Sequence, residues 1–152
     1  IEVNVLLYIT VGIEEELMFR SVVTECVLRK NSNIIVFASV YSGLLFGLAH
    51  ITNFIFDADM TMFNKWCTMI MACVFGFTLA VIFLRTKSIG AVITLHFLWD
   101  FADFMNHMMI VERYRYGGSY NALALQIPVL IVMLVIAVFC MYNKRQMRLQ
   151  SV

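Results

Sequence analysis

Five apolar runs dominate the sequence, at about 3–29, 34–55, 66–84, 88–110 and 122–142, each near the roughly 20 residues that a helix needs to cross a bilayer core. Short polar segments join them: "RKNSN" at 29–33, "FDADMTMFNK" at 56–65, "RTKS" at 85–88 and "VERYRYGGSYN" at 111–121. In lipid only helices or closed barrels satisfy their own backbones, and these runs lack the alternation of barrel strands. With 62% hydrophobic and 14% charged residues, the 152-residue chain lies far outside the range of soluble domains. The expected fold is an all-α membrane protein, a bundle of about five transmembrane helices forming one domain over residues 1–152.

Loop charges set an expected orientation. If the spans alternate, Arg29, Lys30, Arg85, Lys87, Lys144, Arg145 and Arg148 share one face, while Lys65, Arg113 and Arg115 share the other with Asp57, Asp59 and Glu112. The basic excess places the first face and the C-terminus in the cytoplasm. No signal peptide is visible in the sequence, and the start at Ile1 is expected to leave helices upstream of it unseen. Cys26, Cys67, Cys73 and Cys140 form no CxxC pair and are expected to be buried apolar residues, without disulfides. Pro128 is expected to kink or trim the start of the last helix. Nothing in the composition points to nucleic acid.

The informative residues are those that do not belong in lipid. Glu14, Glu15, Glu16, Arg20 and Glu25 fall on the first run, His50 on the second, and His96, Asp100, Asp103 and His107 on the fourth. A charge near the bilayer centre costs about 2.5–3.5 kcal/mol on insertion scales, so such groups face the bundle interior, pair with one another and mark function. Glu16 and Arg20 are spaced i,i+4 with the acid first, the favourable order for an ion pair. Glu15 lies about 100° around the helix from Glu16, free of that pair and able to face a cavity as a general base or acid. His96 and Asp100 share a face, extended by Asp103 and His107, which are expected near the outer interface. His50 stands one turn beyond Phe46; a lone histidine can also serve packing, by bonding a backbone carbonyl. Glu2 and Glu25 are expected at helix ends, and most Met and Phe residues as packing and lipid-facing bulk.

Three ordered motifs carry a resemblance. "EELMFR" at 15–20, "FGLAH" at 46–50 and "HFLWD" at 96–100 resemble the EExxxR, FxxxH and HxxxN/D motifs of the CPBP family, the CAAX prenyl proteases and bacteriocin-processing intramembrane proteins. The turn "RTKSIGAVITLH" is also similar, and the resemblance covers about residues 12–104. It implies an intramembrane endopeptidase in which Glu15 activates water together with His50, and His96 and Asp100 stabilise the oxyanion. Glu16 and Arg20 would then hold the glutamate helix in register, with Phe46 completing the second motif. Where the family has Asn, a side-chain amide donates to an oxyanion; an ionised Asp100 only accepts. Asp100 must therefore be protonated, orient His96 or bind a metal. The family resemblance leaves two chemistries open: a zinc ion held by Glu15, His50, His96 and Asp100, or a metal-free glutamate–histidine pair.

Marks of other intramembrane proteases are absent: there is no HExxH, no GxGD pair, and Ser42 lacks the glycine setting of a GxSG serine. Two rivals of another class remain, an inactive immunity or scaffold protein and a proton-coupled transporter, the latter disfavoured by the lack of internal repeats. The expected partners are a membrane-associated peptide or protein substrate and the lipid bilayer, in a bacterial plasma membrane. Counting about 1.5 Å per residue from the cytoplasmic helix ends puts Glu15 about 21 Å, His50 about 25 Å and Asp100 about 18 Å deep.

Overall fold

The computed structural model describes residues 2–30, 35–56, 61–115 and 123–142, and all of its regular structure is helical. The first rod is α1 (Glu2–Glu16), a π-helical stretch (Leu17–Thr24) and α2 (Glu25–Lys30) in unbroken succession. The second is α3 (Ile35–Ala49) followed, after a turn at His50 and Ile51, by α4 (Thr52–Phe56). Three single helices complete the bundle: α5 (Met62–Thr86), α6 (Ile89–Arg115) and α7 (Leu123–Tyr142). Each rod coincides with one of the five apolar runs. Among the described residues, the stretches Ile35–Phe56 and Met62–Thr86 are long and apolar enough to cross a membrane, and α7 holds a shorter apolar stretch, Leu130–Phe139. The first rod and α6 carry most of the ionisable residues, with His50 on the second rod and Lys65 and Arg85 near the two ends of α5.

The most extensive packing joins α3 to α5; α5 also meets α6 and α7, and α1 lies along α6. Small residues explain the first of these contacts. A Cβ on Gly43 would sit 2.7 Å from the Cys73 carbonyl oxygen and 2.7 Å from the Phe77 nitrogen, and one on Gly47 2.9 Å from the Met69 carbonyl oxygen. This small-xxx-small spacing lets two backbones approach closely where lipid supplies no hydrophobic drive. Around it gather Phe19, Phe46, Phe75, Leu79, Leu84 and Val92, all buried.

Local chemistry sets the helix ends. Thr61 caps α5, its hydroxyl accepting from the Asn64 N–H at 3.3 Å. Lys87, at φ 54°, closes α5 in the left-handed region, its N–H donating to the Phe83 carbonyl at 2.7 Å. Ser88 then accepts from the Ala91 N–H at 3.2 Å and starts α6, so "RTKS" forms the tight reversal that its composition suggests. Arg85 donates to the Met141 carbonyl near the end of α7, and Lys87 lies 3.9 Å from Glu25. The carboxyl ends of the first rod, α5 and α7 thus gather at one end of the bundle, as alternating spans require.

Several expectations are corrected. The segment 56–65 is not all loop: α5 begins at Met62, and Lys65 is buried with its ammonium donating to the Phe54 carbonyl at 3.2 Å. A terminal carbonyl of the short α4 is what draws this cation inward. The fourth run continues as helix to Arg115, into the expected loop. Pro128 lies inside α7, which begins five residues earlier and is not trimmed by it. Cys26 is exposed, while Cys67 and Cys73 are half-buried, and all three are free thiols; the Cys140 side chain, like residues 31–34 of the first turn, lies outside the described residues.

Candidate active site

The first rod brings three charged residues to the bundle interior. Glu16 and Arg20 are both fully buried, with Arg20 Nε 2.9 Å from Glu16 Oε2. The pair spans the junction where α1 gives way to the π-helical stretch, a wider coil found often at functional sites. Two hydroxyls tie that stretch in place by donating to the Phe19 carbonyl: Thr24 at 2.8 Å and Ser42, from α3, at 3.4 Å. Arg20 Nη2 donates to the Gly76 carbonyl of α5 at 3.3 Å, and its guanidinium lies 4.9 Å from the centre of the Phe46 ring. Glu15, one position earlier, keeps 34% of its side chain exposed. The roughly 100° step around the helix therefore separates a buried ion pair from an accessible carboxylate.

His96 links this arrangement to α6. Its Nδ1 lies 2.7 Å from Glu16 Oε1. Glu16 also faces the Arg20 cation and accepts as a carboxylate, so the imidazole donates its Nδ1–H. The other ring nitrogen, Nε2, lies 3.6 Å from Glu15 Oε2 and 3.6 Å from Asp100 Oδ2. Both are longer than a hydrogen bond. His96 itself is almost fully buried, while Asp100 keeps 20% of its side chain exposed, so the Nε2 edge looks toward the partly open side of the cluster.

His50 is fixed differently. At the end of α3 the backbone tightens, and the His50 N–H bonds to the Gly47 carbonyl at 3.1 Å, three residues back. The Phe46 carbonyl, the usual i−4 acceptor, is left to the His50 ring, whose Nδ1 lies 3.0 Å away. A carbonyl only accepts, so Nδ1 carries the proton and Nε2 of a neutral ring offers its lone pair. The carbonyl expected of a purely packing histidine is thus present, but it belongs to the same helix and occupies only one ring nitrogen.

Phe46 is the hub of this site. Its ring centre lies 5.0 Å from Phe19, 5.2 Å from His50, 5.7 Å from His96 and 6.2 Å from Phe75. Gly76 makes room for it, since a Cβ there would stand 2.7 Å from Phe46 Cβ. Phe75 packs edge-on to His96 at 5.2 Å and against Trp99 at 5.0 Å. The reactive groups therefore sit in an aromatic frame from four helices, and offset or edge-on ring pairs each add about 0.5–1.5 kcal/mol beyond area burial.

The seven residues singled out from the motifs, Glu15, Glu16, Arg20, Phe46, His50, His96 and Asp100, form one connected cluster. His96, Glu15, Asp103 and His50 all lie within electrostatic reach of Asp100. Glu14 is exposed on the opposite side of α1, Asp103 is exposed on α6, and the His107 side chain lies outside the described residues. Among the described residues no group of three His, Cys, Asp or Glu side chains is arranged to hold a metal ion. Each of the two histidines is held through Nδ1, His50 by the Phe46 carbonyl and His96 by Glu16, which leaves Nε2 of both rings available to water or to another ligand.

The family model described as Type II CAAX prenyl endopeptidase Rce1-like matches residues 3–102, a span containing all three motifs. The chain belongs to this family. Membership in the Rce1-like group carries a membrane-embedded, protease-like function and a protein or peptide as substrate. No curated protein and no solved structure matches the chain.

Reading the sequence missed the Glu16–His96 bond. The two residues lie 80 positions apart on different helices, and no spacing rule connects them. One signal was available: a carboxylate has two oxygens, and an i+4 arginine accounts for only one. Phe75, Gly76 and Trp99 were also missed, because an aromatic or a glycine inside an apolar run reads as packing.

Proposed function

We propose that this Rce1-like protein is an intramembrane endopeptidase that hydrolyses a peptide bond of a membrane-associated peptide or protein. The observation that carries the reading is the asymmetry between adjacent glutamates. Glu16 is fully buried against Arg20 and His96, whereas Glu15 is partly exposed, 3.6 Å from His96 Nε2, with Asp100 at the same distance. An accessible carboxylate beside the His96 imidazole in an apolar interior suits proton transfer to and from water.

In this reading a water molecule lies between Glu15 and the free Nε2 of His50. Glu15 takes a proton from it while His50 accepts its second hydrogen bond and aims the oxygen at the scissile carbonyl carbon. The new C–O bond gives a tetrahedral oxyanion, stabilised from the His96 side of the cluster. With Nδ1–H committed to Glu16, a donor at Nε2 means that His96 acts as an imidazolium, with Glu16 as its counter-charge. Asp100 stands where the family also uses Asn and flanks that edge. Collapse of the intermediate breaks the C–N bond, and Glu15 returns its proton to the departing amine.

The basic residues of the 29–30, 85–87 and 144–148 segments favour a cytoplasmic C-terminus, and the short connections between spans favour a bacterial plasma membrane. Peptide leaders and membrane-bound segments are the substrate class, in peptide processing or bacteriocin immunity. The test is cleavage of a library of membrane-associated peptides by the protein in liposomes, read by mass spectrometry, with and without chelator. New peptide ends formed by wild type and lost in Glu15→Gln and His50→Asn support the reading. Cleavage that survives in Glu15→Gln overturns it, and loss in chelator alone assigns the water to a metal.

A further inference from the structure

We propose that Glu16 and Arg20 are positioning residues for His96, forming a relay that sets the orientation of the imidazole from its Nδ1 side. The proposal builds on the function above but rests on separate contacts. Around the His96 ring, the two carboxylates at Nε2 are both 3.6 Å away and neither fixes it. The ring's one short polar contact among the described residues is Nδ1 to Glu16 Oε1, 2.7 Å, with both residues buried. Phe46 and Phe75 pack against the ring in T-shaped arrangements at 5.7 and 5.2 Å and crowd it without a polar contact, so the hydrogen bond to Glu16 is what selects its orientation.

The relay continues behind Glu16. Its second oxygen meets Arg20 Nε at 2.9 Å; Arg20 Nη2 is anchored on the Gly76 carbonyl of α5 at 3.3 Å, and the guanidinium plane rests by Phe46. The order Gly76, Arg20, Glu16, His96 spans α5, the π-helical stretch, α1 and α6. A planar guanidinium can hold a carboxylate and a carbonyl at fixed angles together, which a lysine ammonium in its place cannot. The second glutamate of "EELMFR" and its arginine thus do more than hold one helix in register. They bring a backbone anchor on α5 to bear on a histidine on α6.

The test is magnetic resonance of the whole chain in lipid, with ¹⁵N-histidine and ¹³C-glutamate labels, the His96 signals being assigned by their disappearance in His96→Asn. In the wild type, the Nδ1 proton of His96 should couple to a glutamate carboxyl carbon at hydrogen-bond distance and resonate at low field. Glu16→Gln, which keeps shape and an acceptor oxygen but loses the charge, should move that proton to higher field; Glu15→Gln and Asp100→Asn should leave it in place. Absence of the coupling in the wild type, or a low-field proton abolished by Glu15→Gln, overturns the proposal, and the wild-type experiment stands even where a variant does not fold. Where cleavage is measurable, Glu16→Gln should lower kcat about 10- to 100-fold, as outer partners of a functional histidine do, with KM unchanged. A rise in KM at constant kcat would count against positioning. Since the resonance test needs no substrate, it separates failure of the relay from failure of the protease reading.

Discussion

Replacing Gly43 by Ala probes a close backbone contact between α3 and α5. The added Cβ would stand 2.7 Å from Cys73 O and Phe77 N and 2.9 Å from Phe77 Cα, all backbone atoms of α5 that cannot rotate away. Ordinary contact begins at 3.4 Å, so α3 and α5 must part locally by about 0.7 Å. A gap of that size forfeits about a quarter to a half of the dispersion energy of the atoms lining it. The expected loss is about 1–3 kcal/mol, the range for overpacking. Gly47→Ala would meet both the Cys73 thiol and, at 2.9 Å, Met69 O; adding Cys73→Ala relieves the first and not the second, so the double variant should recover only part of the loss. Gly90→Ala is the control, because a Cβ there meets nothing within 4 Å and alanine favours a helix over glycine by up to about 1 kcal/mol. Thermal unfolding in detergent reads all four. Phe46 and His50 ride on α3, and a 1 Å misplacement of reacting groups costs about 100-fold, so Gly43→Ala should also slow turnover. Unfolding of Gly43→Ala at or above the Gly90→Ala temperature would refute the close approach.

Other predictions follow from buried charge and packing. Arg20→Met strands the Glu16 charge in the interior and should cost about 3–5 kcal/mol; adding Glu16→Gln should return part of it, as a double-mutant cycle in detergent would read. Phe46→Ala removes the ring shared by Phe19, Phe75, His50 and His96 and should cost about 3–5 kcal/mol in the same assay. Lys65→Met leaves the Phe54 carbonyl without its donor, costing about 1–3 kcal/mol, and faster hydrogen exchange should be confined to α4 and the start of α5.

Much of this architecture was legible because lipid simplifies the rules. Five apolar runs gave five helical rods, the cost of charge in hydrocarbon drew attention to the ionisable residues of the first, second and fourth runs, and the motif resemblance narrowed these to Glu15, Glu16, Arg20, His50, His96 and Asp100 before any fold was known. Periodicity along one helix also separated Glu15 from the Glu16–Arg20 pair, as the exposures of the two glutamates agree. What escaped was contact between helices and departure from the ideal helix. The π-helical turn at Leu17–Thr24 has no signature in hydropathy, and a polar loop near Lys65 could not be told from a capped helix start. Whether a glycine serves a turn or a helix crossing is likewise decided by its neighbours: Gly43 and Gly76 face backbone and ring, whereas Gly90 faces open space.

The central claim is that Glu15, and not its neighbour on the exposed side of the same helix, moves the proton. The most direct measurement compares kcat for cleavage of one identified peptide by wild type, Glu14→Gln and Glu15→Gln in the same liposomes. The account predicts that Glu14→Gln keeps the wild-type rate while Glu15→Gln loses at least about 100-fold, with both variants folded as judged by their unfolding temperatures. Equal rates for wild type and Glu15→Gln, or a loss confined to Glu14→Gln, would contradict it.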